Sequence, residues 1–176
     1  MSTETVPPPS GPKRTTRWAL LLRDAGLNRP MAHWTQDLHW RAALWSAVPV
    51  WLGLGLLVGA SLRAPTSAAA WLSLVVVQPL LEEVTVRGLV QGALSQWNGR
   101  WERRLRAVPV SQANLVSTAL FVALHLNNQP WPWALAVALP SLLLGHIRER
   151  LGSTWPCVLA HAHFNAGFGV AACLAG

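Results

Sequence analysis

The stretch ALWSAVPVWLGLGLLVGASL, residues 43–62, runs for 20 residues without a charge. Coiled as an α-helix it is about 30 Å long, the thickness of the hydrocarbon core of a bilayer. The rest of the chain has the same character. Of its 176 residues, 52% are hydrophobic and only 12% are charged, against about 25% charged in soluble domains, and the mean hydropathy is +0.30. There are 11 Trp and no Tyr. Trp at helix ends suits a membrane interface, because its ring is apolar and its N–H seeks water or headgroups. These figures exclude a soluble globular enzyme, and they exclude disorder everywhere but at the ends.

Four more apolar runs follow. The second extends from Ala68 to about Leu94 and is broken by Glu82, Glu83 and Arg87; the others are Ser111 to Leu126, Trp131 to Gly145 and Trp155 to Leu174. The third and fourth are short for a crossing and need tilt or neighbouring protein. The pattern predicts an all-α fold, a polytopic membrane helix bundle of about five transmembrane helices, with one more if Trp18 to Leu27 dips into the bilayer. The net charge of +7 comes from Arg, with Lys13 the single lysine. Lys13, Arg14, Arg17, Arg23, Arg29 and Arg41 precede the first run, and only Arg63 separates the first from the second. Arg100, Arg103, Arg104 and Arg106 separate the second from the third. Asn127 to Pro130 carry no charge, and Arg148 and Arg150 lie between the fourth and fifth. The bias alternates with each crossing, as the positive-inside rule requires. It predicts a multi-pass protein of the inner (plasma) membrane with its N-terminus in the cytoplasm and its C-terminus outside. The basic charge is then a topology signal: the bilayer is a partner and nucleic acid is not.

Residues 1–16, with Pro7, Pro8, Pro9, Gly11 and Pro12, read as a disordered cytoplasmic tail, and not as a signal peptide, since no apolar stretch closely follows the charges. Residues 17–42 read as an amphipathic, interfacial segment and 43–176 as the membrane-embedded domain. Leu94, Trp97, Trp101 and Leu105, interleaved with arginines, predict a short helix on the cytoplasmic surface. Cys157 and Cys173 stand about 24 Å apart on one helix, too far to bond, and read as small packing residues.

Ionisable groups inside the membrane carry the functional argument. A charge near the bilayer centre costs about 2.5–3.5 kcal/mol, yet Glu82 and Glu83 sit in mid-helix. Arg87 is one turn beyond Glu83 and can pair with it on one face. Glu82 points about 100° away and is free for something else. Pro79, just upstream, opens the backbone hydrogen bonding there. His125 ends the third run, with Phe121 one turn before it; His161 and Asn165 share a face of the fifth. A carboxylate, two imidazoles and a carboxamide on three helices suit activation of a water beside donors for an oxyanion. They could equally supply three or four ligands to a zinc-like ion. His163 faces away from His161, His146 borders the basic interface, and His33 and His39 lie outside the membrane core; each reads as structural or solvated.

Glu82-Glu83-Val84-Thr85-Val86-Arg87 is similar to the EExxxR motif of the CPBP intramembrane proteases, the CAAX-protease and bacteriocin-processing family also called ABI. Phe121 to His125 resembles its FxxxH motif and His161 to Asn165 its HxxxN motif, in the same order. Gly145 to Pro156 resembles the segment leading into the third motif, and the likeness covers about Gln78 to Gly167. The resemblance implies an intramembrane endopeptidase that cleaves a membrane-associated protein or a C-terminal sorting tail. It implies Glu82 as the base that activates water together with His125, His161 and Asn165 as stabilisers of the oxyanion, and Glu83 and Arg87, with Phe121, as support for the site. It implies no cofactor; were a divalent metal used instead, Glu82, His125 and His161 would hold it. The motifs lack HExxH, and Asn is a poor zinc ligand. Val86 replaces the aromatic that often precedes the motif's Arg, and the N-terminal half is short, which bears on the substrate. The Arg-rich composition points to a bacterial chain, for which prenylated substrates are not expected.

Two other functions compete. A non-catalytic immunity or scaffold protein on the same fold would not need all the catalytic groups. A haem protein using His125 and His161 as axial ligands leaves the two glutamates unexplained.

Overall fold

The structure is a computed structural model, and it describes residues 17–58, 62–97, 104–105 and 108–176. The proposed tail, residues 1–16, lies outside the described residues. Among those residues three helices are long and apolar enough to cross a membrane: α2 (Leu38–Val58), α3 (Ala68–Gln96) and α7 (Trp155–Ala175). Before them, α1 is the short helix Arg17–Asp24; its eight residues cannot cross a bilayer. It ends because Gly26 adopts a positive φ of 64°, which lets Leu27 N–H reach back to Leu22 O at 2.8 Å, the closing turn glycine favours.

Asp37 starts α2 by accepting from the N–H groups of His39 (2.9 Å) and Trp40 (3.1 Å). The same carboxylate meets Arg150 at 2.7 Å. Partial burial pushes the Asp37 carboxyl up, but Arg150 and the two N–H groups outweigh it and hold the carboxyl below the usual carboxylate value. Ser67 starts α3 in the same way, accepting from Ala70 N–H. Helix α3 is not uniform. It widens at Ser73–Val77 and again at Val84–Gln91, with a regular turn, Gln78–Glu83, between. The first widening stops at Gln78–Pro79, where proline has no N–H to continue the ladder.

After α3, Arg104–Leu105 (β1) pairs antiparallel with Val108–Ser111 (β2). The surface helix expected from Leu94 to Leu105 is therefore corrected. Helix α3 stops at Gln96 and Leu105 is in an extended ribbon, while Trp101 lies outside the described residues. Ser111 then caps α4 (Gln112–Leu126). At 15 residues α4 is short for a span. The fourth apolar run is not one helix either: α5 (Trp131–Ala136) and α6 (Ala138–Leu151) meet at Val137, and α6 ends at Gly152, φ 65°.

The helices alternate in direction. One end of the bundle gathers the start of α2, the end of α3, the start of α4, the end of α6 and the start of α7. Arg150 joins Asp37, Trp40 Nε1 donates to Pro156 O (3.2 Å), and Ser111 donates to Glu149. The chain just after α1 closes over this end: Thr154 N–H donates to Gly26 O (2.7 Å) and Thr154 Oγ1 to Ala25 O (2.8 Å). It comes so close because α3 carries Gly88 and Gly92 there. A Cβ on Gly88 would lie 2.8 Å from Ala25 O, and one on Gly92 would lie 2.5 Å from Asp24 O.

Tryptophans do more than mark interfaces. Trp51 Nε1 donates to Phe164 O (3.2 Å) across α2 and α7, and its ring fills the place a Cβ on Gly167 would take. The buried apolar cluster is small: Ala43, Leu144, Ile147, Leu151, Cys157 and Ala160. Polar groups fill much of the remaining interior, including Glu83, Arg87, Gln91, Asn114, Ser117, Thr118 and Ser141. Leucines face outward instead, with Leu56 and Leu57 each 86% exposed. An interior more polar than the surface is what a hydrocarbon solvent selects. Cys157 and Cys173 are both free thiols.

Candidate active site

The three motifs stand on α3, α4 and α7, and the bundle brings them together. On α3, the turn between the two widened stretches holds the adjacent glutamates. Glu83 is fully buried and its Oε2 lies 3.3 Å from Arg87 Nε, an ion pair one turn long. Arg87 is anchored further by Ser141: Nη2 donates to Ser141 O at 3.0 Å and to Ser141 Oγ at 2.8 Å. Ser141 in turn donates to Thr118 Oγ1 at 2.9 Å. The guanidinium lies over the Phe121 ring, 4.8 Å from its centroid, where the negative face of the ring attracts it.

His161 on α7 lies between the two carboxylates. Its Nδ1 sits 2.8 Å from Glu83 Oε1 and its Nε2 3.8 Å from Glu82 Oε2. Glu83 is thus tied to both Arg87 and His161. Glu82 keeps a third of its side chain, 33%, open. The helix separates the two neighbours into a buried carboxylate and an accessible one, as their 100° offset requires.

His125 approaches from α4. Its Nδ1 is 2.9 Å from Phe121 O; a carbonyl only accepts, so Nδ1 carries the proton and Nε2 is left with the lone pair in the neutral ring. Phe121 stands between the imidazoles, its centroid 4.4 Å from His125 and 6.1 Å from His161. Among the described residues the Glu82 carboxylate comes within 4.0 Å of His161 and not of His125. Asn165 donates from Nδ2 to Leu74 O at 2.9 Å, inside the first widened stretch of α3. One of its two amide hydrogens is thereby used, and the other is left.

His163 faces α2 instead, with Nε2 3.3 Å from Leu44 O and its ring against Trp51. His146 and His39 meet each other at 3.1 Å. His33 is exposed.

Among the described residues no three His, Cys, Asp or Glu side chains converge as ligands of a metal ion would. Glu82, His125 and His161 do not fit as a three-donor metal site, since Glu82 approaches His161 at 3.8 Å but His125 does not converge with them and its Nδ1 is turned to Phe121 O. No chemical step is routed through a metal here.

The sequence reading missed the layer behind the motifs. Gln91, one turn past Arg87, donates to Gly145 O (3.0 Å) and Glu149 Oε1 (2.9 Å). Asn114 donates to Leu142 O (2.9 Å) and occupies the space a Cβ on Gly145 would need. The available signal was polarity inside apolar runs: Glu83, Arg87 and Gln91 recur every fourth residue, and Asn114, Thr118 and Ser141 are among the polar breaks in their helices.

The family described as Type II CAAX prenyl endopeptidase Rce1-like matches residues 64–167. No curated protein and no solved structure matches the chain. The family match begins just before α3, ends within α7 and contains every residue of the three motifs. Because it spans more than half of the chain, the protein belongs to this Rce1-like family of CAAX proteases.

Proposed function

We propose that this protein is an intramembrane endopeptidase that hydrolyses a peptide bond in a membrane-associated protein or its C-terminal tail. We place it in the inner membrane with the α1 end facing the cytoplasm. The observation that carries the reading is the unequal pair: a buried Glu83 tied to Arg87 and His161 beside a partly open Glu82. Glu82 takes a proton from a water whose oxygen attacks the scissile carbonyl carbon. The oxyanion is stabilised by the Nε2–H of a doubly protonated His161, whose Nδ1–H is given to Glu83, and by the remaining amide hydrogen of Asn165. His125, through the lone pair on Nε2, accepts from the attacking water and orients it for Glu82, and the proton Glu82 takes is given to the leaving amine as the C–N bond breaks. Glu83 and Arg87 hold His161 and the helix in register. No cofactor enters this sequence of steps. A haem held by His125 and His161 is disfavoured, since the Phe121 ring lies against both imidazoles.

The test compares new peptide termini in membrane and secreted fractions between cells carrying the wild-type chain and cells carrying Glu82→Ala or His125→Ala. Each variant should lower the dependent termini roughly a hundredfold or more, as expected when a general base or acid is removed, while the protein stays folded in detergent. Wild-type levels of those termini in either variant would overturn the assignment. A non-catalytic scaffold would also keep its biological effect with Glu82→Ala.

A further inference from the structure

Glu82 is not the only polar group that α3 turns outward at membrane depth. It stands at the midpoint of the helix, 14 residues from each end of Ala68–Gln96. Gln78, one turn before it, and Thr85, three residues after it, are both exposed. Their immediate neighbours on this surface are apolar: Val77, Leu81 and Leu89 are 42%, 61% and 57% exposed. The Gln78 amide makes one long contact, 3.5 Å to Ser73 Oγ. Among the described residues the Thr85 hydroxyl has no hydrogen-bond partner. Lipid tails cannot satisfy such groups, and polar side chains facing hydrocarbon are costly. Yet the interior of this bundle offers polar partners to Glu83, Arg87 and Gln91 of the same helix. Around the helix midpoint α3 turns Glu83, Arg87 and Gln91 in and leaves the stripe Gln78, Glu82, Thr85 exposed or partly exposed.

We propose that Gln78 and Thr85 hydrogen-bond the backbone of an extended substrate segment lying along this face of α3, one on each side of the bond presented to Glu82. The proposal rests on the protease reading above. The dimensions agree with it. Seven residues of helix separate Gln78 from Thr85, about 10 Å along the axis, and three residues of extended chain cover about the same distance. A peptide drawn out as a strand exposes an N–H and a C=O at every residue, and in a bilayer these need partners. A carboxamide both donates and accepts, and so does a hydroxyl, so both can serve backbone whatever the side chains are. The occupant is therefore an unwound peptide segment, recognised by its backbone. An intact helix, whose backbone groups are internally satisfied, would gain nothing from the stripe. A lipid tail or a second copy presenting an apolar helix would gain nothing either.

The experiment uses the full chain and the cell's own membrane proteins as the probe, reading Glu82-dependent termini as above. Gln78→Leu and Thr85→Val should each lower their yield about tenfold, the factor one unmade hydrogen bond is worth, and the double variant should lower it further. Thr85→Ser, which keeps the hydroxyl, should stay near wild type. Thermal unfolding in detergent should be unchanged in all four, because neither side chain is packed inside. Undiminished termini in the folded double variant, alongside their loss in Glu82→Ala, would overturn the proposal and leave the protease reading intact. A loss in Thr85→Ser as large as in Thr85→Val would overturn the role of the hydroxyl. If Glu82→Ala itself changes no termini, the protease reading falls and the proposal with it.

Discussion

Two adjacent carboxylates stand in different surroundings, one buried and one partly open. Glu83 has no exposed surface and is shared between Arg87 at 3.3 Å and His161 at 2.8 Å. Removing one member of a buried pair strands the other's charge, which costs more than the pair contributes net. Arg87→Ala and Glu83→Ala should therefore each destabilise the protein by about 3–5 kcal/mol, read as a lower unfolding temperature and poorer expression in detergent. The double variant Glu83→Leu, Arg87→Leu should cost less than the sum of the single changes, because contacting residues are not additive. If both single variants melt like the wild type, the pair is not structural. The ion pair was legible from sequence, since a spacing of four on a helix fixes who meets whom. The tie from His161 to Glu83 was not, because it depends on how α7 is rotated against α3, and no spacing within one helix encodes that. Asn165 shows the same limit. Its place on the His161 face was legible, but its bond to Leu74 O, in the first widened stretch of α3, was not.

At the scale of elements, α3 carries both glutamates and Arg87 and packs against α4, α6 and α7. Its apolar length was readable, and so was the disturbance at Pro79. The two widened stretches were not, since they arise from a ladder that rearranges around proline and around groups donated by other helices. The fourth apolar run was read as one span because hydropathy does not register the break at Val137. The docking of the chain after α1 on α3 was also invisible. Gly88 and Gly92 matter there for what they lack, and a missing side chain leaves no polarity to read. Gly92→Ala puts a methyl 2.5 Å from Asp24 O, a backbone atom that can yield only if residues 24–28 lift away. Overpacking of this kind costs about 1–3 kcal/mol. The expected result is a lower melting temperature together with faster protease cleavage within residues 24–28, while Gly53→Ala, which meets nothing within 4 Å, should change neither. Equal cleavage rates for Gly92→Ala and wild type would show that this segment is not held by close backbone contact.

For the whole molecule, the arrangement of helix ends bears on orientation. The described ends of α3 and α6 and the starts of α2, α4 and α7 share one end of the bundle. The segments carrying Arg23, Arg29 and Arg41, and those carrying Arg148 and Arg150, enter or leave at that end. The second Arg cluster, Arg100 to Arg106, falls in sequence between α3 and α4, whose facing ends are also there. A fold that gathers these basic segments at one end gives the positive-inside bias a three-dimensional counterpart, and in the proposed orientation the opposite end, with the close of α2 and α7, lies across the membrane. Only three helices are long enough to cross unaided. On the proposed count of five, α4 and the α5–α6 pair also cross, sheltered by their longer neighbours. Five is odd, so a reporter fused after Gly176 should emerge on the side opposite to one fused before Met1. Expressed in a bacterial inner membrane, alkaline phosphatase after Gly176 should be active and green fluorescent protein there dark, with the reverse for fusions before Met1. Fluorescence from green fluorescent protein at both termini would make the number of crossings even and overturn the five-crossing arrangement.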